Sequence, residues 1–401
     1  MFSSSANPGR RPRVALVVHG IEAYGGMDRV LSELIRRGSD EFEFVVFAVT
    51  LAHELRPLVE WRPIPVPRRP MPLRFTLFFL LAGLRLARER FDLVCTVGAI
   101  VPNRTDVVSV HFCHHGFYRA TGTLAPEDAS VLRRFNTGAG RALSLAAERW
   151  CYRVGRSRRL VAVSQGLGRE LELNFPGVPI TVVPNGVDAV RFAPSYESRA
   201  SFRGEHGARP DDLVALFVGG DWARKGLAVA IDGLAHARAA GADRLVLWVV
   251  GKGDEASFSE LACARGVRDA VTFFGPRADA ERFYHAADLF VLPTLYEAFS
   301  LVVLEALAAG IPVVATRVNG VAELFDGGRP GILVERTPSS VGEALLELAR
   351  SPETREEMGR AGRALVREYT WARSVEGMLD VYRGLLGRCP SRVPVGAGAT
   401  V

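Results

Sequence analysis

The sequence predicts an α/β protein built from two facing, doubly wound, Rossmann-like domains with an interdomain cleft. Three observations carry this reading. Short Val/Leu/Ile runs alternate with helical patterns along nearly the whole chain, as they do when parallel sheets carry helices on both faces. Glycine-containing turns punctuate the strand ends, at Gly219-Gly220, Gly251-Lys252-Gly253, Gly275-Pro276 and Gly327-Gly328. The alternation then restarts after Pro184-Asn185-Gly186-Val187-Asp188, and 401 residues suffice for two to three cores. Ligands of such sheets bind beyond the carboxyl ends of the strands.

The first array opens with Val14–Val18, turns at Gly25-Gly26 and continues as a helix over about Met27–Arg37. Strands are expected near Phe44–Val49, Leu93–Val97, Val107–Val110, Leu160–Val163 and Ile180–Val183. The Pro/Arg-rich stretch Arg62–Arg74 reads as a surface loop. Its flanking aromatics, Trp61, Phe75, Phe78 and Phe79, either pack a helix on the sheet or dock a membrane or an acceptor. The second array has strands near Leu213–Val218, Leu245–Val250, Val271–Phe274, Leu289–Leu292, Pro312–Ala315 and Gly331–Val334. A helix over about Thr370–Leu386 follows, and the Pro/Gly/Ala-rich end of the chain reads as disordered. The expected domains are residues 1–190 and 191–369, with the helix at about 370–387 returning to the first and 388–401 a tail.

Composition removes several function classes. Basic residues number 50 against 44 acidic ones, a net charge of +6, too small for its length to suggest nucleic-acid binding. Lysine occurs only as Lys225 and Lys252, so the basic residues are almost all arginine. The longest apolar run, Phe75–Leu84, falls short of the roughly 20 residues a membrane span needs. Five scattered cysteines read as reduced thiols, and Met1–Arg13 lacks the apolar core of a signal peptide, so the expected location is cytoplasmic.

Two segments concentrate the chemistry. Tyr296-Glu297 through Glu305 to Gly310 follows a buried strand, which puts Glu297 in a strand-to-helix loop and a helix start near Ser300. The first-turn amides of Phe299, Ser300 and Leu301 are then free to bind a phosphate. Glu305 falls about 6–8 Å further along the axis, and the two ionised carboxylates suit sugar hydroxyls. The alternative is one capping and one solvated glutamate. In Val218-Gly219-Gly220-Asp221-Trp222-Ala223-Arg224-Lys225-Gly226, two cations stand at a helix start, where the dipole disfavours them unless an anion is bound. Together they can neutralise a departing diphosphate without a metal; the alternative is an exposed basic turn.

Taken in order, the Gly25-Gly26 loop, Pro184–Asp188, Arg224-Lys225-Gly226 and the Glu297-x7-Glu305 segment resemble a retaining family-4 glycosyltransferase of the GT-B fold, over residues 13 to about 387. The compact Gly-Asp-Trp-Ala-Arg-Lys-Gly turn looks most like the bacterial lipopolysaccharide-core sugar transferases. The resemblance implies a nucleotide-diphosphate sugar (UDP- or GDP-sugar) held by the second domain and a glycan or glycolipid acceptor held by the first. It also implies no cofactor and no metal. Glu297 would contact the transferred sugar and Glu305 the ribose. Arg224 and Lys225 would hold the diphosphate beside the amides of Phe299, Ser300 and Leu301 and the glycines Gly219 and Gly220. Gly25-Gly26 would approach from the opposite domain. An envelope glycan or glycolipid acceptor further implies peripheral contact with the inner face of the cell membrane.

The pattern departs from the family at Gly220, where many relatives carry arginine, at Ser300, a frequent glycine, and at Asn319-Gly320, a frequent Gly-Gly pair. Among the histidines, His111 matches the family's histidine near the transferred sugar, with a core or loop role as the alternative. His19, just after the first strand, has the cleft location, with a plain core or loop histidine as the alternative. Glu323 reads either as cleft-facing or as a helix-start carboxylate. His111, Cys113, His114 and His115 would lie on an extended segment with side chains pointing to opposite sides, which argues against a metal site. Two other functions stay open: a sugar phosphorylase or nucleotide-sugar epimerase on the same fold, and a catalytically silent sugar-nucleotide-binding subunit.

Overall fold

The computed structural model describes residues 10–22, 25–122, 131–195 and 199–387. The tail expected at 388–401 lies outside them. The chain divides into two compact units. One comprises Met1–Val163, Leu167–Pro184 and Ala372–Val401; the other comprises Ser164–Gly166 and Asn185–Trp371.

The first unit begins with β1 (Arg13–Val17), α1 (Gly26–Gly38), β2 (Glu43–Ala48), β3 (Glu60–Pro63) and α2 (Met71–Leu86). It continues with β4 (Leu93–Val97), β5 (Thr105–Val110), α3 (His114–Thr121) and α4 (Val131–Cys151). It closes with β6 (Ser157–Ala162), α5 (Gln165–Asn174, from Leu167 onward in this unit) and β7 (Ile180–Val182). The strands form one parallel sheet in the order β3-β2-β1-β4-β5-β6-β7. Burial on both faces explains why its central strands β1, β2 and β4 read as apolar runs. In β1, Val14 and Leu16 join one core with Phe44 and Val46, while Ala15 and Val17 join the other with Val45 and Phe47.

The run from Arg62 to Arg74 is not the simple loop its composition suggests. Val45–Ala48 pair with Glu60–Pro63, which makes β3 an edge strand, and α2 begins at Met71. A four-residue edge strand that ends in proline carries too little apolar periodicity to be read from sequence. Of the aromatics beside it, Phe78 is fully buried in the second core and the Trp61 indole donates to the Ala48 carbonyl at 3.2 Å.

The second unit contains α6 (Arg199–Glu205), β8 (Leu213–Val218), the short α7 (Trp222–Lys225), α8 (Leu227–Ala239), β9 (Leu245–Val250) and α9 (Glu255–Ala264). Next come β10 (Val271–Phe273), α10 (Ala280–Ala286), β11 (Leu289–Leu292), α11 (Leu301–Ala308) and β12 (Val313–Thr316). It ends with α12 (Asn319–Asp326), β13 (Gly331–Val334), α13 (Pro338–Arg350) and α14 (Pro352–Leu365). Its sheet is again parallel, ordered β10-β9-β8-β11-β12-β13. The last helix, α15 (Trp371–Leu385), groups from Ala372 onward with the first unit. There Met378, Leu379 and Tyr382 enter the core that holds Val14 and Phe44, and Arg383 pairs with Glu41 at 2.7 Å.

Candidate active site

Within the second unit, the turn after β8 and the loop after β11 meet. Gly219 leaves β8 at φ +143° and Asp221 takes a left-handed conformation at φ 49°. Gly226 closes α7 at φ +85°, and a Cβ there would stand 2.0 Å from the Pro293 carbonyl oxygen. Glycine is thus required by conformation and by space, and the α7 turn sits directly on the end of β11. Thr294 and Leu295 add to the contact: the Leu295 amide donates to the Arg224 carbonyl at 2.9 Å.

This arrangement gathers charges that are 72 and 73 residues apart in sequence. Arg224 Nη1 and Lys225 Nζ both donate to Glu297 Oε1, at 3.1 and 2.9 Å. Arg224 also donates through Nε to Asp221 at 2.9 Å and through Nη1 to the Tyr296 carbonyl. Glu297 and Lys225 are nearly buried, with side chains 12% and 11% exposed. Burial by itself lowers the pKa of Arg224, but the adjacent carboxylates Glu297 and Asp221 outweigh it and hold the pKa above its ordinary value. Two cations and two carboxylates make the cluster locally neutral. Gly219 adjoins it, because a Cβ there would touch the Lys225 side chain at 2.6 Å; Gly220 follows in the same turn.

The helix following Glu297 behaves differently. Ser300 is the N-cap of α11, yet its hydroxyl makes no cap bond; it is buried and among the described residues finds no partner. Phe299 and Ser300 are buried and Leu301 is half-buried. α11 is apolar all round, as a core helix should be, except for Glu305. Glu305 is buried, and its Oε2 accepts from the Tyr284 hydroxyl at 2.8 Å. The structure therefore brings Arg224, Lys225, Glu297 and Gly219 together, and sets Glu305 one helical turn deeper, against Tyr284. Glu323 lies inside α12, and its carboxylate accepts from the amides of Gln165 and Gly166, residues that group with this unit.

Sequence reasoning missed Tyr284, Asp221 and Arg336. Arg336 follows β13 and donates to the carbonyls of Pro293 (3.1 Å) and Ala223 (3.2 Å), bracing both ends of the contact. It has no carboxylate partner among the described residues, and burial lowers its pKa. Tyr284 and Arg336 left no local sequence signal, since each acts on residues at least 18 positions away.

In the first unit, Gly25 caps α1 in extended conformation and Gly26 is the first residue of that helix. His111 follows β5, and its Nε2 lies 3.0 Å from the Ser109 hydroxyl. Burial lowers its pKa to about 4, so it is a neutral imidazole at pH 7. His19, after β1, is likewise lowered to about 4 by burial, with repulsion from Arg74 adding to the shift. His114 and His115 do not continue an extended segment. They open α3, because the buried carboxylate of Glu148 accepts from both their amides (2.8 and 3.1 Å) and from His115 Nδ1 (2.7 Å). That is a helix-capping arrangement. Among the described residues no group of three or more His, Cys, Asp or Glu side chains is placed to hold a metal.

Comparison with known proteins adds the family. Residues 212–351 match the family model described as "Glycosyl transferases group 1" and residues 24–191 that described as "Glycosyltransferase Family 4". A D-inositol 3-phosphate glycosyltransferase of Saccharomonospora viridis is 30% identical over 316 residues, 74% of this chain and 69% of the relative. The chain belongs to glycosyltransferase family 4. The enzyme of the same name from Segniliparus rotundus is 33% identical over 75% of this chain and 66% of its own length. That from Paenarthrobacter aurescens is 34% identical over 51% of each chain, so matches to the first curated relatives span about half to two thirds of their length. Among solved structures, WaaG, a glycosyltransferase involved in lipopolysaccharide biosynthesis, superposes with a TM-score of 0.79 at 22% identity, covering 92% of this chain and all of WaaG. HepE of Anabaena, solved with UDP and glucose, gives 0.70 at 17% identity over 93% of this chain and all of that one. These likenesses show the fold: two Rossmann-like α/β units of the GT-B type.

Proposed function

We propose that this family-4 chain transfers a sugar from a nucleotide-diphosphate sugar to an acceptor hydroxyl, with retention of anomeric configuration. The observation that carries this reading is the convergence of Arg224 and Lys225 on one oxygen of Glu297, at the carboxyl ends of β8 and β11. A guanidinium and an ammonium already positioned stabilise a departing diphosphate without reorganising during the reaction. Glu297 holds them in place until the diphosphate takes over their charge, and is then free to accept a hydroxyl of the transferred sugar. The unpartnered Ser300 hydroxyl and the uncapped first turn of α11 offer further donors to a phosphate. Glu305, oriented by Tyr284, would accept from the ribose. In the first domain, His111 would serve as a neutral hydrogen-bonding group near the sugar and Gly25-Gly26 as a close backbone approach. Attack occurs on the face from which the diphosphate leaves, and a leaving phosphate oxygen takes the acceptor's proton. The two cations supply the charge a metal would otherwise bring, so turnover should survive EDTA.

UDP complexes of HepE favour a UDP-sugar donor, with a GDP-sugar as the alternative. Two acceptors are in view. The likeness to WaaG favours an envelope glycan or glycolipid met at the inner face of the cell membrane by a cytoplasmic protein. The names of the sequence relatives favour D-inositol 3-phosphate. Exposed Met71, Leu73, Leu80 and Leu84 on α2, a helix without acidic residues, fit the membrane-borne case. No helix among the described residues is long and apolar enough to cross a membrane.

A thermal-shift screen across nucleoside diphosphates and their sugars tests the donor, since a bound donor raises the melting temperature by mass action. NMR of the product's anomeric centre tests retention. Trapping a glycosylated carboxylate on the enzyme would overturn front-face attack, and silence toward every diphosphate would overturn the donor site. Turnover with inorganic phosphate, or with no acceptor, would favour the phosphorylase or epimerase reading.

A further inference from the structure

We propose that the first unit carries a second anion site, at the amino ends of β5, β6 and β7, that binds a phosphate-bearing small molecule. A cavity of about 610 Å³ opens there, within the range of roughly 300–1,000 Å³ typical of small-molecule sites. Arg104, Arg156, Arg158 and Arg159 line it, and Asp106 is its one carboxylate. Arg158 is already committed to Asp106 at 2.9 Å and to the Leu385 carbonyl at the end of α15. The other three guanidiniums form no ion pair with any described carboxylate. Arg156 is fixed by the Pro102 carbonyl at 2.8 Å and by stacking over Trp150 at 4.0 Å. Arg159 is fixed by the Thr181 hydroxyl at 3.1 Å. Neutral acceptors of this kind orient a guanidinium without cancelling its charge, and leave most of its five N–H donors unused. Arg104, Arg156 and Arg159 all border this one concavity, so positive charge accumulates beside it and a bound anion offsets it.

Location separates this site from the chemistry. The pocket residues Thr105 and Ser157 open β5 and β6, and Pro179 immediately precedes β7, whereas His111 stands past the carboxyl end of β5. A sugar-nucleotide site of a doubly wound sheet lies at the carboxyl ends, so the ligand here is not the donor in its reacting position. Planar forks favour an oxyanion of tetrahedral geometry contacted by two or more of them at once. The chemistry is therefore a phosphomonoester or a diphosphate, either free in solution or at a lipid headgroup.

The test titrates the full chain with inorganic pyrophosphate by calorimetry, and separately measures sedimentation with vesicles containing phosphatidic acid, whose headgroup is a phosphomonoester. It compares wild type, Arg104→Gln/Arg159→Gln and Arg224→Gln/Lys225→Gln. Losing two charged donors should weaken the site by about tenfold or more. Expected is a wild-type isotherm with a class of sites that the Arg104/Arg159 variant loses and the Arg224/Lys225 variant keeps. If instead only vesicle binding falls in the Arg104/Arg159 variant, the phosphate is a headgroup and the site stands. If neither pyrophosphate nor vesicle binding changes in that variant, the proposal is overturned, whatever becomes of the donor site. Arg104→Glu alone, at an exposed position, repeats the test should the double variant fail to fold.

Discussion

The two units wind their sheets in the same order about the first strand, yet they arm the carboxyl ends of those strands with opposite electrostatics. In the first unit the groups following β1 and β5 are His19 and His111, both held neutral because burial disfavours imidazolium. In the second, the groups following β8 and β11 are Arg224, Lys225 and Glu297, which pair within hydrogen-bond reach, and the carboxylates of Glu297 and Asp221 hold the Arg224 pKa above its ordinary value. Burial alone does not decide whether a polar group stays ionised; the presence of a partner does. A fold repeated twice thus carries an ion-paired cluster beyond the strands of one copy and neutral imidazoles beyond those of the other.

The largest expected effect tests the charged end. Lys225→Ala should lower turnover on the order of 10²-fold or more, with a smaller change in donor KM, because the cation's interaction strengthens as the diphosphate departs. Steady-state kinetics with saturating donor check this, and unchanged turnover would remove the basis of the contrast. Next, Glu297→Ala leaves the nearly buried Lys225 without its carboxylate, while Arg224 keeps Asp221, and should cost about 2 kcal/mol of stability, read as a lower melting temperature. A nucleoside diphosphate should raise that variant's melting temperature more than it raises the wild type's, since the ligand supplies the missing negative charge. An equal shift in both proteins would mean that Glu297 and the ligand do not address the same cations.

Acid acts on the neutral end of the first unit. The folded pKa values of His19 and His111 lie near 4, below the ordinary 6.5 of an unfolded chain. Between those values the unfolded state binds more protons, so stability present above about pH 6.5 is lost as pH falls toward about 4. In His111→Gln that part of the loss should vanish, which melting curves across the window would show. The smallest effect is expected at Arg336: Arg336→Gln removes the brace to Pro293 and Ala223 and should cost about 1 kcal/mol of stability. Its kinetic signature would be a lower turnover without a change in pH profile.

Much of this architecture is legible in the amino-acid sequence. The apolar runs mark twelve of the thirteen described strands, because a parallel strand buried on both faces announces itself locally. β3 escapes because an edge strand of four residues does not. Arg224, Lys225 and Glu297 stand out by their place after strands, and His111 by its place after β5. Tyr284 and Arg336 do not, since nothing near them in sequence records that one orients Glu305 and the other ties Ala223 to Pro293.

By itself the sequence determined the elements, their parallel winding and the glycines that let turns approach strand ends, because each depends on residues within a few positions of one another. Tertiary structure alone decided which charges meet and which stay neutral. It brought a carboxylate 72 positions away to Lys225 and left the imidazole of His111 desolvated, 3.0 Å from the Ser109 hydroxyl. Ionisation depends on solvent access and distance in space, and neither is a property of position along the chain.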